Sequence, residues 1–501
     1  MIGAATLRDR LVRVAEALGL ETGGTPRTLD AARTILVTRL AEPSAETSYL
    51  LLAAIVGQIP TGEEVIALER RWRLSGVATA IDTVLAMARA LERWKPRRAP
   101  SVRIERGTVV DVHDTAHTSF TTGIQRVTRS VLPIWLGTAN LTLVGWTGEF
   151  EAPRSLSVAE EALAGRTTPA PPARPEIVIP YQATWILPEI AVDVRRAART
   201  RAIALYSGSR AVAIGYDCIP ITSAETAGGG MPGGFANYLA ALAEFDVIAP
   251  ISGGSGVEFE GWRGMLGGAG LSGPRIVTVE LATEAVGGTA EALRGPQGAG
   301  SPEGAGSPQG AGVVEGLGIG AGETVVLAVG SHEPRKNHLA LLQAAELVWA
   351  AGTDFTLVMI GGNSWDRADF DAALAAARAR GRRIILLTGA PDATVGALYE
   401  RARFTVFPSL NEGFGLPVVE SIGVGTPVIT SDFGSMRESA EGFGGFLVDP
   451  RSDAAIAAAM TRLLTDDALL AQLTAETVKA PKRTWDAYAT GLWTAFAPET
   501  T

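Results

Sequence analysis

Phe407-Pro-Ser-Leu-Asn-Glu-Gly-Phe-Gly-Leu-Pro-Val-Val-Glu420 decides how the rest of the chain is read. The apolar run Phe404 to Phe407 predicts a buried strand that stops at Pro408. Pro417 falls where a first helical turn tolerates proline, because the N–H it lacks would have no intrahelical partner there. The segment therefore reads as a strand, a loop with glycines at 413 and 415, and a helix whose N-terminus opens into a crevice. Such a terminus offers unpaired backbone N–H groups and partial positive charge, which suits an anion such as phosphate. Glu412 stands just ahead of the helix and Glu420 about one turn inside it. Carboxylates accept charge-assisted hydrogen bonds from sugar hydroxyls. Acidic residues in a first helical turn also simply complement the dipole, and the pair alone leaves both readings open.

Working outward, 501 residues exceed a single core and predict two or three domains. The composition, 47% hydrophobic and 19% charged, is that of a soluble globular protein. A net charge of −9 argues against nucleic acid as a partner, while a local basic patch remains compatible with peripheral membrane association. The lone Cys218 excludes an internal disulfide framework and a cysteine-rich zinc site. The longest apolar run noted, Tyr49 to Val56, is too short to span a bilayer, and the N-terminus has no signal-peptide core. The expected location is cytoplasmic, extending to the inner face of the cell membrane.

Residues 1–100 show helical periodicity with charged faces and predict a helical appendage, either packing or binding a partner protein. Lys95-Pro-Arg-Arg-Ala-Pro100 reads as a linker. Residues 101–290 alternate strands and helices. Gly107 to Val112 predicts a buried strand, followed by a polar loop and a helix from Thr122-Gly-Ile-Gln-Arg-Val, the opening unit of a Rossmann-like half. Gly123 makes either a tight turn or a close approach to phosphates, and Arg126 lies on a solvated face or adds charge there. Asp217, before Pro220, either stabilises a turn or meets an acceptor hydroxyl. Ser252 is a helix cap.

Between 295 and 312 a six-residue unit, GPQGAG, SPEGAG, SPQGAG, occurs three times, and residues 291–322 are expected to form a flexible linker insertion. Residues 323–482 give the clearest alternation of strand and helix, hence a parallel sheet. Arg335 and Lys336 follow its first strand, placed to grip a diphosphate by a planar fork and a point charge. The aromatic-rich segment 483–497 predicts an amphipathic helix without the cationic face of a membrane-surface helix.

The block FPSLNEGFGLPVVESIGVGTPVITSDFGSMRE, with Glu412 and Glu420 separated by seven residues, resembles the signature of GT-B retaining glycosyltransferases of family four. Gly330-Ser-His-Glu-Pro-Arg-Lys-Asn337 is similar to that family's phosphate-binding loop, although Ser331 stands where some relatives carry arginine. Thr-Gly-Ile-Gln-Arg-Val resembles one subset of the family. The resemblance implies an α/β GT-B fold, two Rossmann-like domains facing a cleft, with the 483–497 helix returning to the first. It implies transfer of a hexose, mannose or rhamnose, from a nucleoside-diphosphate sugar to a saccharide or lipid-linked saccharide. Glu412, Arg335 and Lys336 would be catalytic. Glu420, Gly413, Phe414, Gly415, Leu416 and Gly123 would bind the donor, and Asp217 and Arg126 would serve the acceptor side. Many relatives carry histidine where this chain has Tyr216, so that residue's role does not transfer.

Neither a cofactor nor a metal is expected. Asp369-Phe-Asp371 matches an Asp-x-Asp motif in letters but lies in a predicted helix, and a polar loop accounts for His113, Asp114 and His117. Two alternatives stay open: an epimerase or hydrolase on this fold, and a non-catalytic sugar-nucleotide scaffold.

Overall fold

Fifteen strands assemble into two sheets in a computed structural model that describes residues 3–21, 24–94, 100–118, 122–166, 175–284, 316–362 and 367–498. The first sheet contains β1 (Ser101–Glu105), β2 (Thr108–Asp111), β3 (Leu141–Trp146), β4 (Pro153–Ser155), β5 (Glu176–Pro180), β6 (Thr184–Leu187), β7 (Arg210–Gly215), β8 (Val247–Pro250) and β9 (Arg275–Ile276). Their spatial order is β1-β5-β4-β3-β2-β6-β7-β8-β9, parallel except where β4 runs against β3 and β5. The second contains β10 (Val325–Val329), β11 (Thr356–Ile360), β12 (Ile384–Leu387), β13 (Phe404–Phe407), β14 (Val428–Ser431) and β15 (Gly445–Val448). It is parallel throughout, in the order β12-β11-β10-β13-β14-β15. That order reverses between β10 and β13, and open parallel sheets place ligands beyond the strand ends at such a point.

The helical prefix is no separate appendage. Leu11, Leu36, Tyr49, Leu50, Ile81 and Val84 form one continuous core with Val178, Trp185 and Ala213 of the first sheet. The buried Arg10 side chain donates to the carbonyls of Ile55 (2.8 Å), Val56 (3.1 Å) and Pro100 (3.1 Å), tying the prefix to the start of β1. The helix Gly62–Trp94 breaks at Gly76 (φ 81°, ψ 162°), a conformation that glycine reaches without steric cost. Its Gly62–Leu91 part is long and apolar enough to cross a membrane by length and composition, which corrects the expectation of no such run. Val65, Leu68, Trp72, Ile81 and Leu85 nonetheless pack into the core, and Asp82 pairs with Arg33.

The last helix, Trp485–Phe496, leaves the second half and returns to the first. There Tyr488, Ala489 and Leu492 are buried and the Trp135 indole donates to the Ala489 carbonyl at 3.0 Å. Of the expected linker insertion, residues 291–315 lie outside the described residues, as does 95–99. The remainder is anchored: Ile319 is buried and Leu317 packs beside it under β10 and β11.

Candidate active site

Because β10 pairs with β13, the loops leaving their carboxyl ends arrive side by side. The first carries a turn at Pro334–Lys336, and the second leads through Asn411–Gly415 into the helix Leu416–Gly423. Gly415 is the N-cap at φ 84°, in the left-handed region that favours glycine. Arg335 Nη1 lies 2.6 Å from Glu412 Oε2, and Lys336 Nζ lies 2.6 Å from Oε1. Arg335 Nη2 reaches Glu333 at 2.7 Å and Nη1 also donates to the Asn411 carbonyl at 2.7 Å. The Ser409 hydroxyl donates to Glu412 Oε1 at 2.6 Å. Burial pushes the Glu412 carboxyl up, but Arg335, Lys336 and Ser409 outweigh it and hold it at about 2. Burial draws the Lys336 ammonium below its ordinary value, an effect that Glu412 only partly offsets. The two cations thus sit in a cluster balanced by Glu412 and Glu333.

Glu420 occupies a different setting. Its Oε1 is 2.5 Å from Arg126 Nη1, on the helix Gly123–Thr138 of the first half, and its Oε2 accepts from the Tyr399 hydroxyl at 3.1 Å. Burial and the neighbouring Glu420 raise the Tyr399 phenol well above its usual value, so it stays a donor. Gly123 faces the same region: a methyl built there would lie 4.0 Å from Leu416 Cδ1. A cavity of about 1350 Å³ between the halves is lined by Gly123, Arg126, Tyr399, Leu416 and Glu420. Glu412, Arg335 and Lys336 do not line it.

Gly413 and Phe414 hold the halves together. The Phe414 ring is buried in the core cluster of the first half, with Val110, Tyr216 and Ile251, so only its backbone is left to meet a donor. Ser252, on the first half, donates its hydroxyl to the Gly413 carbonyl at 2.6 Å, and the Ser255 hydroxyl shares its one proton between that carbonyl (2.9 Å) and the Tyr216 carbonyl (2.5 Å). The Asn411 amide reaches Ser223 Oγ and Glu258 Oε1, both at 3.3 Å. Asp217 adjoins this seam: a methyl on Gly413 would be 3.0 Å from Asp217 Oδ2, while Oδ1 accepts from the Ile219 N–H at 3.1 Å. Burial raises the Asp217 carboxyl to about 6, and Arg335 offsets only part of that. The Tyr216 hydroxyl turns away and donates to the Pro188 carbonyl at 2.8 Å.

Sequence reasoning missed Tyr399, Ser255 and Asn411, since each acts on a partner remote in the chain; Ser252 was expected only to cap its helix. The polar loop resolves into a short helix, His113–His117, whose Asp114 pairs with Arg196 at 2.7 Å. His113 Nδ1 accepts from the Trp146 N–H at 3.1 Å. Arg196 is buried against Asp111 (2.9 Å) and Glu189 (3.4 Å) as well, and Glu189 accepts the N–H groups of Asp114 (2.8 Å) and Thr115 (2.6 Å). Asp369 and Asp371 fall in the helix Ala368–Ala379, where Asp371 pairs with Arg367 at 2.7 Å. In the GSHEPRKN block, His332 and His338 pack in the core, their Nδ1 atoms 2.8 Å apart.

Residues 314–480 match the family model for glycosyl transferases group 1. The O-antigen chain mannosyltransferase B of Escherichia coli is 36% identical over 151 residues, 29% of this chain and 38% of that protein. A serotype-specific mannosyltransferase of Escherichia coli is 25% identical over 477 residues, 88% of this chain and 55% of its own length. The chain therefore spans about half, or less, of these curated relatives. An α,α-trehalose-phosphate synthase from Burkholderia xenovorans shares the fold at a TM-score of 0.55 and 12% identity, over 78% of this chain and 100% of that one. The second half is thus similar to the group 1 glycosyl transferases, and the two facing sheets have the GT-B fold.

Proposed function

We propose that the protein is a retaining glycosyltransferase of family four, within the subset bearing Thr-Gly-Ile-Gln-Arg-Val. It would move a hexose, mannose or rhamnose, from a nucleoside-diphosphate sugar to a hydroxyl of a saccharide or lipid-linked saccharide, in polysaccharide or glycolipid assembly. The observation that carries the reading is the buried cluster of Arg335 and Lys336 on Glu412 at the carboxyl edge of the second sheet. Both mannosyltransferase relatives support the choice of sugar.

On this reading the diphosphate competes with Glu412 for the two cations. Binding draws Arg335 and Lys336 onto the phosphate oxygens and releases Glu412 toward the hydroxyls of the transferred sugar. The cations then stabilise the leaving diphosphate as its charge develops, in a site where preorganised charge counts far more than in water. Glu412 supports the oxocarbenium character of the sugar. Glu420 keeps a free lone pair on each oxygen for the ribose diol, beside Arg126 and Tyr399. A front-face path, in which the leaving phosphate takes the acceptor proton, needs no protein nucleophile. The proposal includes no resident metal, since the two cations supply the charge. Reaction at the inner face of the cell membrane is part of it, supported by the exposed Leu74 among Arg70, Arg71 and Arg73.

A thermal-shift panel of UDP-, GDP- and dTDP-sugars tests the reading, followed by transfer from the labelled best donor with and without a chelator. A midpoint rise with one base, then chelator-insensitive transfer to an oligosaccharide, is expected. Release of free sugar alone, or of an epimer, makes the protein a hydrolase or epimerase; no shift with any donor overturns the reading.

A further inference from the structure

Asn411-Glu412-Gly413 is gripped from two sides. The Glu412 side chain belongs wholly to the second half, on Arg335, Lys336 and Ser409, and the Ser435 hydroxyl donates to the Glu412 carbonyl at 2.7 Å. Its two neighbours reach into the first half, although the Asn411 carbonyl also accepts from Arg335. The Asn411 amide is held near Ser223 and Glu258, and the Gly413 carbonyl by Ser252 and Ser255. Phe414 extends this grip into the first-half core. The approach is so close that a methyl on Gly413 would lie 2.6 Å from the Tyr216 carbonyl. One on Gly254 would lie 2.8 Å from the Ser435 nitrogen. Gly413 is absent from the residues with positive φ, so its backbone does not demand glycine; the facing domain does.

We infer that Ser255, with Ser252 and the bare Cα of Gly413, sets the position of Glu412 through contact between the halves, so that the carboxylate is aligned only when the cleft is closed. Ser255 and Ser252 are positioning residues: they touch the peptide that carries Glu412 rather than the reacting atoms. A peptide pinned at residues 411 and 413 leaves the side chain at 412 little freedom, and a displacement of about 1 Å in a reacting group costs on the order of 100-fold in rate. The nucleotide contacts of Glu420 and the Gly415 helix lie on the second half and do not pass through this seam, apart from Arg126. The inference rests on the proposed transfer reaction for its kinetic arm only.

Two variants test it in the full chain. Ser255→Ala removes the hydroxyl that bridges the Tyr216 and Gly413 carbonyls while leaving the Ser252 cap intact. Gly413→Ala wedges the seam without backbone strain in its own half. Small-angle scattering should show Gly413→Ala more open than the native protein, with Ser255→Ala between the two. Calorimetry of Ser255→Ala with UDP, GDP and dTDP should give native affinity, within about two-fold, for whichever nucleotide binds. Turnover of the donor selected by the panel should lose on the order of 10- to 100-fold in kcat, largest for Gly413→Ala. A merely structural role would lower the melting midpoint and leave kcat unchanged below it. Unchanged scattering overturns the inference whatever donor is used, and so does a loss of nucleotide affinity matching the loss of kcat. If no donor in the panel is turned over, the transfer reading fails while scattering still decides the inference.

Discussion

Glu412 and Glu420 lie eight positions apart on one loop and helix, yet their surroundings are opposite. Glu412 is enclosed by its own half, with two cations and a serine hydroxyl on its carboxylate. Glu420 is shared: one oxygen meets Arg126 from the facing half, the other a tyrosine hydroxyl from its own. The first is charged whatever the cleft does, and a diphosphate must displace it from its partners. The second loses Arg126 when the halves part and keeps Tyr399. Strong ionic preorganisation and a labile contact across the cleft are thus set about two helical turns from one another.

The largest effect expected within this comparison comes from breaking the Glu412 cluster. Glu412→Gln should lower kcat on the order of 100-fold or more while a bare nucleoside diphosphate binds at least as tightly, because its competitor for Arg335 and Lys336 is gone. Steady-state kinetics with calorimetry checks both halves of that expectation, and weaker nucleotide binding would count against it. Arg335→Ala or Lys336→Ala should each lose roughly 2–4 kcal/mol of transition-state stabilisation, read as kcat/KM, and also lower the melting midpoint by leaving Glu412 underpaired. Near-normal kcat/KM in both would remove them from the site.

The pH dependence of stability sharpens the contrast. Glu412 is held at about 2 against an ordinary 4.5. Its contribution is therefore full above the ordinary value and is lost as the pH falls toward 2. Asp217 runs the other way, raised from 3.8 to about 6, so its contribution is full below the lower value and is lost as the pH climbs through the upper. Asp217→Asn should flatten the fall in stability between those values, by on the order of 2 kcal/mol at neutral pH relative to pH 4. Melting curves of the two proteins across that window check it; parallel curves would show that Asp217 does not titrate there.

The smallest effects belong to Glu420. Glu420→Gln should weaken nucleotide binding by about ten-fold with little change in kcat, and Tyr399→Phe, which removes one hydrogen bond to it, by about five-fold. Calorimetry with the bare nucleotide separates these from the Glu412 phenotype. A kcat defect in Glu420→Gln equal to that of Glu412→Gln would show that the two carboxylates do not have separate roles.

The second sheet was legible almost residue by residue, since each of its strands is an apolar run flanked by its own helix. Phe404–Phe407 falls where its apolar run places it. The first sheet was legible only in part. β4 (Pro153–Ser155) pairs antiparallel with β3 and β5, and β6 (Thr184–Leu187) joins between β2 and β7 as a run of only four residues. Neither carries alternation or length enough to announce a strand; the pairing partners create it.

The sequence by itself determined two α/β halves with mostly parallel sheets, the loop and helix after Phe407, and the basic pair after the first strand of the second half. Each of these is written in local periodicity, glycine and proline placement, and charge. Only the tertiary structure decided that Arg126 meets Glu420, that Tyr399 supports it, and that Arg335 and Lys336 rest on Glu412. It also decided that Gly413 is bare for the sake of the facing half rather than its own turn. The physical reason is common to all four: a side chain's partner is fixed by sheet order and by the approach of two separately folded halves, and neither leaves a local mark on the chain.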